Sequence, residues 1–148
     1  MDDQCNEHFV RVLELRMREG LDTPANLMKA LYLAAAAGNI VILHDRFERP
    51  AGYVAWAGLA KETVRQTLKS GELRLRAEDL NEGHFIYVVD VMIRRSSALT
   101  LKHAFAHLPV KSRLLLYSRA NELRAVRIVD HKFVLYGKAK VRHAEFCT

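Results

Sequence analysis

Cysteine is scarce: only two occur in 148 residues, Cys5 and Cys147, near opposite ends of the chain. They lack the spacing of a zinc site or a disulfide framework, and two free thiols suit a reducing compartment, so a cytoplasmic protein is expected. Three prolines and seven glycines leave no linker, repeat or low-complexity tract, and residues 1–148 are expected to form a single domain. No apolar run is long enough to span a bilayer. The longest uncharged stretch, Ala30 to Leu43, is interrupted by Gly38 and Asn39, and the opening MDDQCNEH is acidic and polar. There is one tryptophan, and stacking aromatics near the basic C-terminal part are sparse beyond Phe133 and Tyr136.

What is present is the composition of a globular protein, with half the residues apolar and 27% charged. A chain of this length buries roughly 68–70% of the surface it exposes when unfolded, so a sizeable core is available. Lys and Arg number 23 against 17 Asp and Glu, giving a net charge of +6 and a pI near 9.5. That balance favours an anionic partner without choosing among nucleic acid, an acidic carrier protein, a nucleotide cofactor and a membrane surface. A soluble protein with a basic surface fits it equally well.

HFVRVLELRMR (residues 8–18) sets Phe9, Val12, Leu13 and Leu15 or Arg16 at helical spacing among charges, which predicts an amphipathic helix ending at Gly20. LDTPANLMKALYLAAAA predicts a second, with Asp22 or Thr23 as N-cap, Pro24 just inside and Gly38 at the C-terminal end. IVILHD and YVAWAGL read as strands joined into a hairpin by RFERPAG. KETVRQTLKSGELRLRAEDL reads as a helix stopping at Gly71, followed by a segment, ELRLR, with the alternation of a short strand or a loop. HFIYVVDVMI is a long strand, SSALTLKHAFAHL a helix ended by Pro109, and RLLLYS a further strand. LRAVRIVD and KFVLYGKAKV form a terminal pair turning near His131. The order of elements is that of a mixed α/β protein, a sheet with helices on its faces.

Within FIYVVDVMIRRSSALTLKHAF, one carboxylate, Asp90, sits inside an apolar, β-branched run, and two arginines and two serines follow it. Alternation puts Asp90 on one face with Val88 and Met92. Aspartate is disfavoured in strands, so a reason is required: reaction chemistry, or a structural role as a carboxylate at the exposed end of a strand or in an ion pair with an arginine such as Arg124. Arg94, Arg95, Ser96 and Ser97 follow where a strand gives way to a helix, a place where free backbone N–H groups and bidentate arginines attract phosphate. Ser96 or Ser97 serves equally well as a plain helix N-cap.

Three segments in this order resemble the toxin-activating lysine acyltransferases, the family that attaches fatty acyl groups to lysines of RTX hemolysins. They are RPAGYVAWAGL (residues 49–59), FIYVVD (85–90), which ends in the family's strand aspartate, and LRAVRIV (123–129). The resemblance covers roughly residues 25 to 140 and implies a GNAT-like mixed sheet flanked by helices. It also implies acyl-acyl carrier protein, or an acyl-CoA, as co-substrate, a protein acceptor bearing the target lysine, and a homodimer. Asp90 takes the position of the catalytic aspartate. The family's catalytic histidine would fall near Glu19 and Gly20, where this chain has none. Arg94, Arg95, Ser96 and Ser97 lie where GNAT-type acetyltransferases cradle pyrophosphate with a glycine-rich loop. RRSSA lacks those glycines, which suits a carrier-borne phosphopantetheine arm and an acidic carrier.

Other candidates carry less. His103 and His107 stand four apart on a helix, but KHAFAH lacks the glutamate of HExxH and no third ligand is indicated, so a solvated face is expected. Tyr53 and Trp56 lie among Ala55, Ala57 and Gly58, as core aromatics or beside an acyl channel. Arg124, Arg127, Lys132, Lys138, Lys140 and Arg142 make the C-terminal part basic, yet no helix-turn-helix, RNP or zinc pattern accompanies them. The rival to an acyltransferase is therefore a GNAT-like fold without catalysis, binding a protein or nucleic acid through its basic surface.

Overall fold

The computed structural model describes residues 3–109, 114–119, 122–129, 132–140 and 143–146; His131, Arg142 and Cys147 lie outside them. Four α-helices are formed among these residues, α1 (Asp3–Arg18), α2 (Ala25–Ala36), α3 (Lys61–Ser70) and α4 (Leu101–Ala106). The strands are β1 (Ile40–His44), β2 (Pro50–Leu59), β3 (Glu72–Leu75), β4 (Phe85–Ile93), β5 (Leu114–Arg119), β6 (Glu122–Val129), β7 (Lys132–Lys140) and β8 (His143–Phe146). The main sheet has the hydrogen-bonded order β1-β2-β4-β5-β6-β7 and contains both parallel and antiparallel pairs, so the class is α/β. No described helix is long and apolar enough to cross a membrane. The chain divides into two compact units, Met1–Trp56 with Val89–Leu108, and Ala57–Val88 with Pro109–Thr148.

The first unit is built on an amphipathic helix pair and a hairpin. On α1, Val12 and Leu15 are fully buried and Phe9 partly so, a stripe with the spacing of one helix face. They pack with Leu31, Ala34 and Ala35 of α2, with Ile40 of β1, Tyr53 and Ala55 of β2, and Met92 of β4. Each fully buried leucine here contributes about 1.5–3 kcal/mol relative to exposure. In the β1–β2 hairpin Ile40 faces Ala55 and Ile42 faces Tyr53, and the register fixes which side chains turn toward the helices.

Both helix ends close on glycine. Gly20 (φ +66°) lets Leu21 N–H reach back to the Arg16 carbonyl at 2.9 Å, and Gly38 (φ +74°) lets Asn39 N–H reach Ala34 at 2.8 Å. The start of α2 differs from the sequence expectation. Pro24 is itself the N-cap and no side chain caps the helix. The Thr23 hydroxyl accepts from Arg16 instead, as does the Asp22 backbone carbonyl.

α4 is also shorter than SSALTLKHAFAHL suggested. Thr100 is its N-cap in a reciprocal capping box with His103, so neither Ser96 nor Ser97 caps it. Ser97 closes a turn instead, with its backbone N–H and its hydroxyl both donating to the Arg94 carbonyl at 3.0 and 2.7 Å.

In the second unit β4 pairs in parallel with β5 through Ile86–Leu115, Tyr87–Leu116 and Val88–Tyr117, while β5–β6 and β6–β7 are antiparallel. α3 ends at Gly71 in the left-handed conformation, as its sequence predicts. ELRLR resolves as a strand, β3, paired in parallel with β8. β8 has no counterpart among the expected elements. Its segment is short, and its partner lies far away in sequence, so no local pattern announces the pairing.

Candidate functional site

Asp90 projects from β4 toward the last turns of α1 and toward Tyr53 of β2, all within the first unit. Arg16 NH1 donates to Asp90 Oδ2 at 2.9 Å and to the Tyr53 hydroxyl oxygen at 2.9 Å, and Tyr53 O–H donates in turn to the same Oδ2. Arg16 Nε donates to Thr23 Oγ1 at 3.0 Å and NH2 to the Asp22 carbonyl. Each guanidinium nitrogen is therefore engaged, and Arg16 is only 8% exposed. A buried arginine in this state is what its desolvation demands.

Asp90 is less enclosed, its side chain being 22% exposed. Both side-chain donors fall on Oδ2, and the Val91 backbone amide is a third donor to the carboxylate. Burial pushes its carboxyl above the ordinary value of 3.8, and the Tyr53 hydroxyl, the Arg16 charge and the Val91 amide pull it back only in part. Tyr53 is held above its usual phenolic range by burial and by the neighbouring Asp90 charge, so it stays a donor. The strand carboxylate thus has an arginine partner, and that partner is Arg16.

Arg94 leaves β4 with its backbone N–H bonded to Ala51 O at 2.8 Å, and its Nε donates to Glu19 Oε1 at 2.8 Å. Arg95 and Ser96 are exposed in the turn that follows, and Ser97 is turned back on Arg94. These four residues form a turn ahead of α4, and the first turn of α4 lies beyond them. Glu19, near which the family histidine was counted, faces Arg94. No histidine among the described residues hydrogen-bonds to Asp90.

Elsewhere, His103 Nδ1 is occupied by the backbone N–H and hydroxyl of Thr100, at 3.2 and 2.9 Å. No cluster of His, Cys, Asp or Glu among the described residues has the arrangement of a metal site. Tyr53 and Trp56 are buried, as core aromatics are.

Arg16, Tyr53 and Thr23 are site residues that the strand motif alone did not bring forward. The signal for Arg16 was its place in the apolar stripe of α1, one turn after Val12. A cation on a buried helix stripe and an anion in a buried strand are each costly alone, and pairing them relieves both. Comparison with known family models and with curated proteins finds no match to this chain.

Proposed function

We propose that this chain is an acyltransferase of GNAT-like fold that moves an acyl group from acyl-acyl carrier protein, or an acyl-CoA, to a lysine amine of a protein acceptor. The reading is supported by the three ordered segments around Tyr53, Asp90 and Arg124. The observation that carries it is Asp90: a half-buried carboxylate with raised affinity for a proton, whose Oδ2 takes both of its side-chain hydrogen bonds.

The chemistry needs such a group. Only a neutral amine attacks a thioester, so the lysine ammonium must first give up a proton. Arg16 cannot take it, being permanently charged. Asp90 Oδ1 accepts the proton, directly or through one water. The amine nitrogen then bonds to the acyl carbon and sheds a second proton, the carbon–sulfur bond breaks, and the departing carrier thiolate takes up that proton. In this reading Arg94, Arg95, Ser96 and Ser97 meet the phosphate of the donor arm or the acidic carrier, and the protein works in the cytoplasm, as a homodimer.

A second reading is a GNAT-like protein without catalysis whose basic surface binds a partner. It is favoured by the bonding of Asp90 to a guanidinium where a histidine would be the general base. Carrier protein bearing a labelled acyl group separates the two. Thioester turnover or self-acylation that disappears in Asp90→Asn supports the enzyme, and turnover indistinguishable from carrier alone sinks it.

A further inference from the structure

We infer that Arg16 is the positioning residue of the Asp90 centre, holding Oδ2 so that Oδ1 is the oxygen presented to the incoming amine. The inference rests on the acyltransferase reading. Its ground is the way the guanidinium is used. An arginine that merely neutralises a carboxylate commonly does so fork to fork, two nitrogens on two oxygens. Here a single nitrogen, NH1, meets a single oxygen, Oδ2, and the Tyr53 hydroxyl is added to that same oxygen. Both donors crowd one side of the carboxylate.

The clamp is itself anchored. Nε is bonded to Thr23 Oγ1 and NH2 to the Asp22 carbonyl, so the guanidinium plane cannot rotate without breaking bonds to the loop between α1 and α2. NH1 also bonds Tyr53 OH, which fixes the phenol that completes the grip. Burial of Arg16 removes water as a substitute partner. The carboxylate can therefore turn about its last bond only by giving up the Arg16 and Tyr53 hydrogen bonds together, besides the one from the Val91 amide. Positioning of this kind acts on rate. A reacting group displaced by about 1 Å can lose on the order of a hundredfold.

The test compares wild type, Arg16→Lys, Arg16→Gln and Thr23→Val for labelled acyl turnover from acyl-acyl carrier protein across pH. Folding is checked by far-UV circular dichroism and thermal melting. Because Asp90 must be ionised to act, activity falls on the acid side as it is protonated. Arg16→Gln removes a charge that favours ionisation, so this acid limb is expected to move up by about one pH unit. kcat is expected to drop about a hundredfold, with KM for the carrier-borne donor unchanged within about twofold. Arg16→Lys keeps the charge but not the geometry, and is expected to lose kcat with the limb nearly in place. Thr23→Val, which removes one anchor only, gives a smaller loss of kcat and remains folded should both Arg16 variants unfold.

Wild-type kcat and limb in folded Arg16 variants overturn the inference while leaving the acyltransferase reading intact. So does activity that falls only in step with the folded fraction, or an unaltered kcat in Thr23→Val. Absence of turnover in wild type overturns both.

Discussion

Arg16 and Asp90, separated by 74 positions in the chain, meet at 2.9 Å between the last turns of α1 and the middle of β4. The two partners are not equally committed. Asp90 sits at a proton affinity above the ordinary carboxylate, so the pair does not fully offset the burial of the anion. Arg16 has other acceptors in Thr23, Asp22 and Tyr53. Arg16→Met is therefore expected to cost about 3 kcal/mol at neutral pH, since it strands a buried carboxylate and frees a loop. Asp90→Asn is expected to cost less, about 1–2 kcal/mol, because a neutral amide suits this half-buried site and its oxygen still accepts from Arg16 and Tyr53, although the guanidinium loses its counter-charge. Urea unfolding of both variants and of the double variant measures the asymmetry. Equal costs would show that the clamp is a simple ion pair.

The Tyr53 hydroxyl accepts from Arg16 and donates to Asp90, while its ring lies in the core with Leu15, Leu31 and Met92. Tyr53→Phe keeps the ring and removes both bonds. Expected is a loss of about 1.5–3 kcal/mol, the range for hydrogen bonds to charged groups, together with a further rise in the Asp90 pKa. Chemical unfolding measures the first, and carboxyl titration by NMR the second. A stable variant with an unmoved Asp90 would mean that the phenol is a bystander.

Most elements were legible because each rests on local chemistry. Gly20, Gly38 and Gly71 end α1, α2 and α3 as their positions suggest, and alternating or β-branched runs gave β1, β2, β4 and β6. What was not legible depends on contacts across the chain. Thr23 looked like an N-cap until Arg16 claimed its hydroxyl. β3 remained ambiguous because its partner β8 is at the other end of the sequence. Asp90 stood out as a charge in a strand, and Arg16 as a cation on an apolar helix stripe. Nothing in one dimension says that those two exceptions are each other's explanation.

The raised pKa of Asp90 carries a definite sign for stability. A carboxyl that binds its proton more tightly when folded leaves the native state with more bound protons than the unfolded one between the two pKa values. Its favourable contribution is complete below about 3.8, the ordinary value, and is lost as pH rises through the raised folded value. The stability of wild type minus that of Asp90→Asn is thus expected to decline across that window and then level off. Unfolding curves at a series of pH values measure the difference, and one that grows with pH would mean the Arg16 charge outweighs burial.

The second bridge from the end of α1 to β4, Glu19 to Arg94 at 2.8 Å, should behave differently. Its side chains are 24% and 32% exposed, and water competes for both. Glu19→Gln is expected to cost no more than about 1 kcal/mol. Under the acyltransferase reading, freeing Arg94 also tightens the donor, lowering KM for the acyl carrier rather than changing kcat. Steady-state kinetics at two salt concentrations measures this, since a charge contact with an acidic carrier weakens as salt rises.

Gly52 supplies a test of how closely β2 and β4 approach beside the site. A Cβ built there would lie 2.4 Å from the Met92 carbonyl oxygen and 3.2 Å from Ile93 Cα, and both are backbone atoms that no rotamer change can move. Met92 is two residues from Asp90, so any shift of this stretch of β4 displaces the carboxylate from Arg16 and Tyr53. Gly52→Ala is expected to cost about 3 kcal/mol or more, the upper end of overpacking penalties, and, under the acyltransferase reading, to reduce turnover even in the folded fraction. Gly38→Ala is the matched control. Nothing lies within 4 Å of its added methyl, and only its positive φ of +74° is strained, at about 1 kcal/mol. Thermal melts paired with activity per folded molecule distinguish the two. If both variants lose stability equally and neither changes specific activity, the close contact at Met92 has no bearing on where Asp90 is held.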